Sequence, residues 1–373
     1  MPWEEVSIMH RRKEFVSLAL SEGSNVSELC RRFGISRQTG YKWLRRAAVA
    51  GEDFRDRSRR PKRSPERTAA DVEMAILSVR DGHPAWGARK IAHCLGRDGI
   101  AAPAASTVHA VLRRHGRVVA GPGLHKAAER FEKPRPNQLW QMDFKGQVKL
   151  SSGSWVHPLT VIDDHSRYAL CLRACPNERT ETVRAALSAA FRTYGLPDAF
   201  YVDNGNPWGN AGQERWTRLG VWLLKLGVDL IHSRPYHPQG RGKNERFHRT
   251  LKAEVLAFER FADIPRMQKA FDSWRVVYNS ERPHQALDMR VLASCYQPLP
   301  RPLPRAVPDV VYGPDDVLRR VGTTKAYVSF KGRLWPVSRA FQGETVAIRP
   351  TGNDGKYGVY FATKRIAEID LNT

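Results

Sequence analysis

From residue 137 onward the apolar residues change from a helical period to an alternating one, and that change limits the fold more than any other feature of the chain. Three β-rich runs, LWQMDFKGQVKL, WVHPLTVIDDHS and RYALCLRAC, follow one another with hairpin-length gaps. The pattern then predicts a helix at about 180–193, a short buried strand in DAFYVDN, a helix at about 213–226 and a strand in VDLIHS. A long amphipathic helix starts near Gly242 and runs to about Phe261, and another covers about 264–279. Three strands followed by alternating helix and strand make a mixed α/β sheet flanked by helices, here assigned to residues 137–297.

The segment before it is helical throughout. Residues 4–22 have one apolar stripe, Gly23 ends it, and Asn25 can cap the next helix. In NVSELCRRFGISRQTGYKWLRRA, two short helices meet at a Gly turn, and Ser36 is a fit N-cap for the second. This pattern reads as a helix-turn-helix in residues 1–50, or as an ordinary helical hairpin with a solvated basic face. Ser36, Arg37, Gln38, Thr39, Tyr41 and Lys42 gather at the dipole-positive start of the second helix and are candidate DNA contacts. Residues 51–65 form a basic linker with Arg59, Arg60, Lys62 and Arg63, suited to tracking a DNA groove or to serving as a tether. Residues 66–117 predict helices at about 65–81, 86–95 and 106–115. They form a second helix-turn-helix domain that would present Ser106 and Thr107 to DNA, and a basic linker follows at 118–136.

Charge agrees with this order. The net charge of +23 favours a polyanionic partner, nucleic acid before membrane. The N-terminal residues 1–135 carry 27 Lys/Arg against 15 Asp/Glu, which places the DNA-reading modules ahead of a more neutral core. No apolar run approaches the roughly 20 residues needed to span a bilayer. MPWEEVSIMHRRKEF lacks the layout of a signal peptide. A cytoplasmic protein without membrane contact is expected. The five cysteines are scattered, with no second Cys or His pair at zinc spacing, and read as reduced and structural.

Asp143 sits mid-strand among Trp140, Met142 and Phe144, where a carboxylate is costly unless something pairs with it. Asp203 ends the strand DAFYVDN. If the two strands are neighbours, both carboxylates meet at one place on the sheet. Glu245 lies in the first turn of the long helix, after HPQGRGKNE. Taken singly, Asp203-Asn204-Gly205 reads as a plain turn and Glu245 as a helix-dipole partner. Together they offer three hard oxygen donors without His or Cys, which favours Mg²⁺ or Mn²⁺. Two such ions activate a water or a 3′-hydroxyl and stabilise a leaving oxygen. Arg241, Lys243, Asn244, Arg249 and Lys252 crowd the same helix and are candidate phosphate contacts, or simply a solvated face. His237 reads as a loop anchor.

Five ordered stretches, NQLWQMDFKG, LTVIDDHSRYAL, YVDNGNPW, SRPYHPQGRGKNERFHRTLKAE and YNSERPHQAL, resemble the integrase catalytic core of bacterial insertion-sequence transposases. These are relatives of retroviral integrases, and the N-terminal helix-turn-helix layout also fits that family. The resemblance covers about 137–288. It implies an RNase H-like core in which Asp143, Asp203 and Glu245 are the metal-binding, catalytic Asp-Asp-Glu set with two ions. It assigns Asp163 and Asp164 a structural role. It also implies binding to transposon ends and target DNA, a homo-oligomer of at least two copies on DNA, and a bacterial, nucleoid-associated setting. The second gap, 41 residues between Asp203 and Glu245, is longer than usual for the family, and the excess falls in NPWGNAGQERW. The zinc-binding His/Cys module of retroviral integrases has no counterpart.

Residues 298–308, PLPRPLPRAVP, predict a stiff extended linker. Beyond it, strands at 325–330, 333–336, 344–348 and 358–361 with Gly turns predict a small β-barrel in 309–373, for binding DNA or a partner subunit. A regulator that has lost catalysis, or a nuclease that cuts without joining, would share most of these features.

Overall fold

A computed structural model describes residues 7–49, 54–57, 67–118, 132–209, 216–233 and 242–372. The chain divides into two compact units, Met1–Arg67 and Thr68–Thr373.

The first unit holds α1 (Ile8–Ala19), α2 (Val26–Arg32) and α3 (Arg37–Ala47). The caps are those the sequence predicts. Asn25 accepts from the backbone of Ser27 and Glu28, and Ser36 accepts from Thr39 N–H at 3.1 Å. Phe15, Val16, Cys30 and Trp43 form the core. Gly40 lets α3 approach the other two helices, since a Cβ there would stand 2.5 Å from Cys30 Sγ and 3.0 Å from Phe15 Cζ. Arg12 lies 4.1 Å from the centroid of the Trp43 ring and donates to the Phe54 carbonyl and to Asp56, which ties the start of the linker to the helices.

The second unit begins with α4 (Ala70–Gly82), α5 (Ala88–Arg97) and α6 (Ala105–Arg114), packed around Ile76, Trp86, Ile91, Leu95, Val108 and Leu112. Buried Glu73 is satisfied by Arg114 and by His115 at 3.2 Å. The mixed sheet follows. It contains β1 (Trp140–Phe144), β2 (Val148–Lys149), β3 (Trp155–Asp163), β4 (Ala169–Cys175), β5 (Ala199–Val202) and β6 (Asp229–His232). β3 pairs antiparallel with β1, β2 and β4, whereas β5 pairs parallel with both β1 and β6. Alternation along the strands sends side chains to two cores. Trp140, Met142, Val161 and Phe200 pack under α7 (Thr180–Tyr194) and α8 (Arg218–Lys225). Ile162, Ala169 and Leu172 pack under α9 (Gly242–Leu251) and α10 (Ile264–Ser280) through Phe247, Leu251, Phe271 and Trp274. This is the helix-flanked mixed sheet expected of an integrase core.

The edge strand β4 is sealed by α10. Gln268 Oε1 accepts from Ala174 N–H at 2.8 Å and its amide donates to the Leu172 carbonyl at 3.0 Å. Arg275 donates to the Leu170 carbonyl, and Asn279 bonds both backbone groups of Ala169.

Two expectations are corrected here. The long helix does not continue regularly to Phe261; after α9 it widens into a π-helical turn at Lys252–Leu256. That turn puts Glu254 against Trp274 Nε1 and Arg282 Nε, both at 2.9 Å, so a buried ion pair fixes the irregularity. The C-terminal region is not a closed barrel among the described residues. β7 (Val317–Arg320), β10 (Thr345–Pro350), β11 (Lys356–Phe361) and β12 (Lys364–Asp370) form one open sheet, and β8 (Tyr327–Phe330) with β9 (Arg333–Pro336) forms a separate hairpin. The hairpin covers the sheet by inserting Val328 and Phe330 face-on into a core with Phe341, Val346, Val359 and Phe361, so no ladder joins the edges. The sequence pattern had overlooked β7 and β12.

The proline-rich segment is held against the core. Leu299 N–H donates to the Tyr194 carbonyl at 3.0 Å, and the Arg301 guanidinium caps the carbonyls of Leu196, Pro197 and Gly227. Gly195 has φ +82, and a Cβ there would meet the Leu299 carbonyl at 2.7 Å. No helix among the described residues is long and apolar enough to cross a membrane.

Candidate active site

β1 and β5 are parallel neighbours, with Trp140 opposite Phe200 and Gln141 opposite Tyr201. The same register continued by two residues brings Asp143 level with Asp203, just past the end of β5. Asp143 also faces Thr160 on β3. The Thr160 hydroxyl is 2.9 Å from the Asp143 carbonyl and 2.8 Å from His248 Nε2 on α9. Glu245 precedes His248 by almost one turn and is exposed.

Asp203 is anchored locally. Its Oδ1 accepts from Gly205 N–H at 3.0 Å and from the indole N–H of Trp208, while its carbonyl accepts from His232 Nδ1 at 3.0 Å. The buried Trp208 ring stacks on Phe144, with centroids 5.4 Å apart and an angle of 19°. One indole therefore touches the second carboxylate and the neighbour of the first. Sequence reasoning overlooked Trp208, although its place five residues after Asp203 in an Asn-Pro-Trp turn was visible. It also overlooked Thr160, and placed His248 only near the acidic face. Among the described residues no three His, Cys, Asp or Glu side chains stand close enough to hold a metal ion.

Asp163 and Asp164 are fully buried in structural roles. Asp163 accepts from Asn137 N–H at 2.7 Å and from the backbone and hydroxyl of Ser166, yet burial still pushes its carboxyl above the usual range. Asp164 accepts from Lys133 N–H, Gln141 Nε2 and Lys243 Nζ, each at 2.7 Å.

The candidate phosphate contacts on α9 separate by helix phase. Arg249 and Lys252 are exposed beyond Glu245. Lys243 and Asn244 turn inward. Lys243 is neutralised by Asp164, and burial lowers its pKa against that partner's pull. Asn244 is 3% exposed, on the face that buries Phe247 and Leu251. In the first unit Ser36, Arg37, Gln38, Tyr41 and Lys42 are exposed, and Thr39 is half-buried in the cap. Ser106 is exposed and Thr107 half-buried at the start of α6. Arg59, Arg60, Lys62, Arg63, His237 and Arg241 lie outside the described residues.

Family models match in the same order as these elements. An integrase core domain matches residues 133–238 and a second integrase core model matches 226–291. The C-terminal domain of IS481 family transposases matches 316–373, a helix-turn-helix domain 11–62 and a homeodomain-like domain 39–112. The chain is 29% identical over 153 residues to an uncharacterized protein of insertion element IS407 from Burkholderia multivorans, covering 41% of this chain and 53% of that protein. It is 26% identical over 151 residues to its counterpart in insertion element IS476 from Xanthomonas euvesicatoria, covering 40% and 42%. The chain thus spans about half the length of the relatives it matches. Among solved structures, the simian T-cell lymphotropic virus intasome in complex with a PP2A regulatory subunit aligns with 78% of this chain and 99% of that chain, at 17% identity and a TM-score of 0.38. The magnesium complex of the HTLV-2 integrase catalytic core aligns with 44% and 99%, at 15% identity and a TM-score of 0.34. By its matched domains and their order, this chain is similar to insertion-sequence transposases that carry an integrase core.

Proposed function

We propose that this protein is a DNA transposase that binds the terminal inverted repeats of an insertion sequence and carries out metal-dependent strand cleavage and strand transfer. The observation that carries the proposal is the parallel register of β1 and β5, which makes Asp143 and Asp203 neighbours. Asp143, Asp203 and Glu245 are hard oxygen donors suited to Mg²⁺ or Mn²⁺, and they would hold two ions once Glu245 closes on the pair. When bound, the ions supply Lewis-acid activation of a water or a 3′-hydroxyl and stabilise the leaving oxygen.

The chain's own groups then divide the work. The exposed face of α3 and the start of α6 grip and read the ends of the element. Arg249 and Lys252, on the exposed side of the catalytic helix, hold phosphates beside the scissile bond. Trp208 and Gly205 fix the Asp203 carboxylate. Two element ends must be held at once, so an assembly of at least two copies on DNA is part of the proposal. The domain limits set out from the sequence are kept as the proposed division of labour.

The test is a cleavage and joining assay on duplex DNA from the sequences flanking the gene, with Mg²⁺ or Mn²⁺. Wild-type protein should give nicked and joined products that Asp143→Asn and Glu245→Gln both lose. Flank binding without cutting under either metal would favour a regulator instead, and cutting without joining would favour a nuclease.

A further inference from the structure

The catalytic helix is joined to the sheet by one hydrogen-bond chain that passes beside the first carboxylate. Thr160 is fully buried on β3 and is the register partner of Asp143. A carbonyl can only accept, so the single hydroxyl proton of Thr160 goes to the Asp143 carbonyl. The hydroxyl oxygen then accepts from His248, which fixes the imidazole as the Nε2–H tautomer. His248 lies three residues after Glu245, so the two side chains sit on neighbouring parts of one helical face.

Phe247 and Leu251 also pack α9 against the core near this point, but apolar contacts do not fix direction. Sliding a helix by one residue shifts it about 1.5 Å and turns it about 100°. Lys243 holds the start of the helix to Asp164, in the turn just after β3, and Glu254 holds the π turn to Arg282. Through Thr160 the bond from His248 reaches β1 at Asp143 itself, whereas the Lys243–Asp164 pair reaches β1 through Gln141, two residues earlier.

We infer that His248, acting through Thr160, is a positioning residue that sets where Glu245 stands relative to Asp143. The inference rests on the carboxylate site proposed above. It concerns geometry and does not require His248 to exchange a proton with substrate. Gln places an amide donor at a similar reach and can replace the bond, whereas Ala cannot. Val at position 160 keeps the shape of Thr and removes the hydroxyl.

The test uses the full chain, with Mn²⁺ binding measured by calorimetry without DNA, joining measured on the flanking duplex, and Tm measured for each variant. His248→Ala and Thr160→Val should each slow joining by about tenfold to a hundredfold and weaken Mn²⁺ binding several-fold. The double variant should be no worse than either single one, because both remove the same link. His248→Gln should restore Mn²⁺ affinity and most of the joining rate, and it decides the matter if Thr160→Val fails to fold. Wild-type Mn²⁺ affinity and joining in His248→Ala would overturn the inference, as would additive losses in the double variant. Asp143→Asn separates the two levels. If it keeps both Mn²⁺ binding and joining, the metal site fails and this inference fails with it. If it loses both while His248→Ala is unaffected, only this inference fails.

Discussion

The ammonium of Lys243 lies 2.7 Å from Oδ1 of Asp164 and 2.7 Å from the carbonyl oxygen of the same residue, beneath the start of α9. Breaking a buried pair by removing one partner leaves a charge uncompensated and costs about 3–5 kcal/mol. Asp164→Ala strands Lys243 and also removes the acceptor of Gln141 and Lys133 N–H. Lys243→Met leaves those two donors on Asp164. Urea denaturation should therefore show a larger loss for Asp164→Ala than for Lys243→Met. The reverse order would mean that Lys243 is held for DNA and not for the fold.

Trp208→Phe removes the donor to Asp203 while keeping a ring to stack on Phe144. The fold should survive, and joining should fall by about tenfold, as loss of a positioning contact does. Equal joining rates in variant and wild type would show that the other contacts of Asp203, Gly205 N–H among them, are enough to hold the carboxylate.

Gly40→Ala forces a methyl against Cys30 and Phe15. Overpacking of this kind costs about 1–3 kcal/mol, a large share of the stability of so small a unit. Flank binding should weaken in Gly40→Ala and recover when Cys30→Ala is added. A loss that the second substitution does not repair would point to backbone geometry at Gly40, not to crowding.

Burial holds the Lys90 ammonium down to about 8, with Arg282 pushing the same way and Glu254 opposing. The folded state binds this proton less readily than the unfolded chain, whose lysine has the ordinary value of 10.5. Stability from this group is therefore reduced below about pH 8 and rises between about pH 8 and 10.5. Lys90→Met should raise Tm at pH 7 by about 2 °C, the shift that under 1 kcal/mol produces in a domain of this size. The gap between variant and wild type should close as pH approaches 10. A Met variant that melts lower at pH 7 would sink the idea.

The sequence carried the parts of the fold set by period and capping. The strand runs, the helices at α7 and α10 and the caps Asn25 and Ser36 follow from local rules. Asp143 stood out because a carboxylate in an apolar strand needs an explanation. Long-range partners did not stand out. Lys243 reads as an exposed base until Asp164, distant in sequence, is found beneath it. Trp208 reads as core until its N–H is traced to Asp203. The π turn depends on Glu254 meeting Trp274 of α10 and Arg282 just beyond its end. The barrel was expected from strand spacing alone, which does not say whether the last edges pair or only stack.

The side chains that α10 lays along β4 have a consequence for how copies of this protein can gather. Gln268, Arg275 and Asn279 occupy backbone positions that a neighbouring strand would otherwise claim. At this end, several of the rungs on which another molecule's strand could continue are already taken. Crowding many copies on one stretch of DNA thus carries little risk of fibre-like stacking through β4.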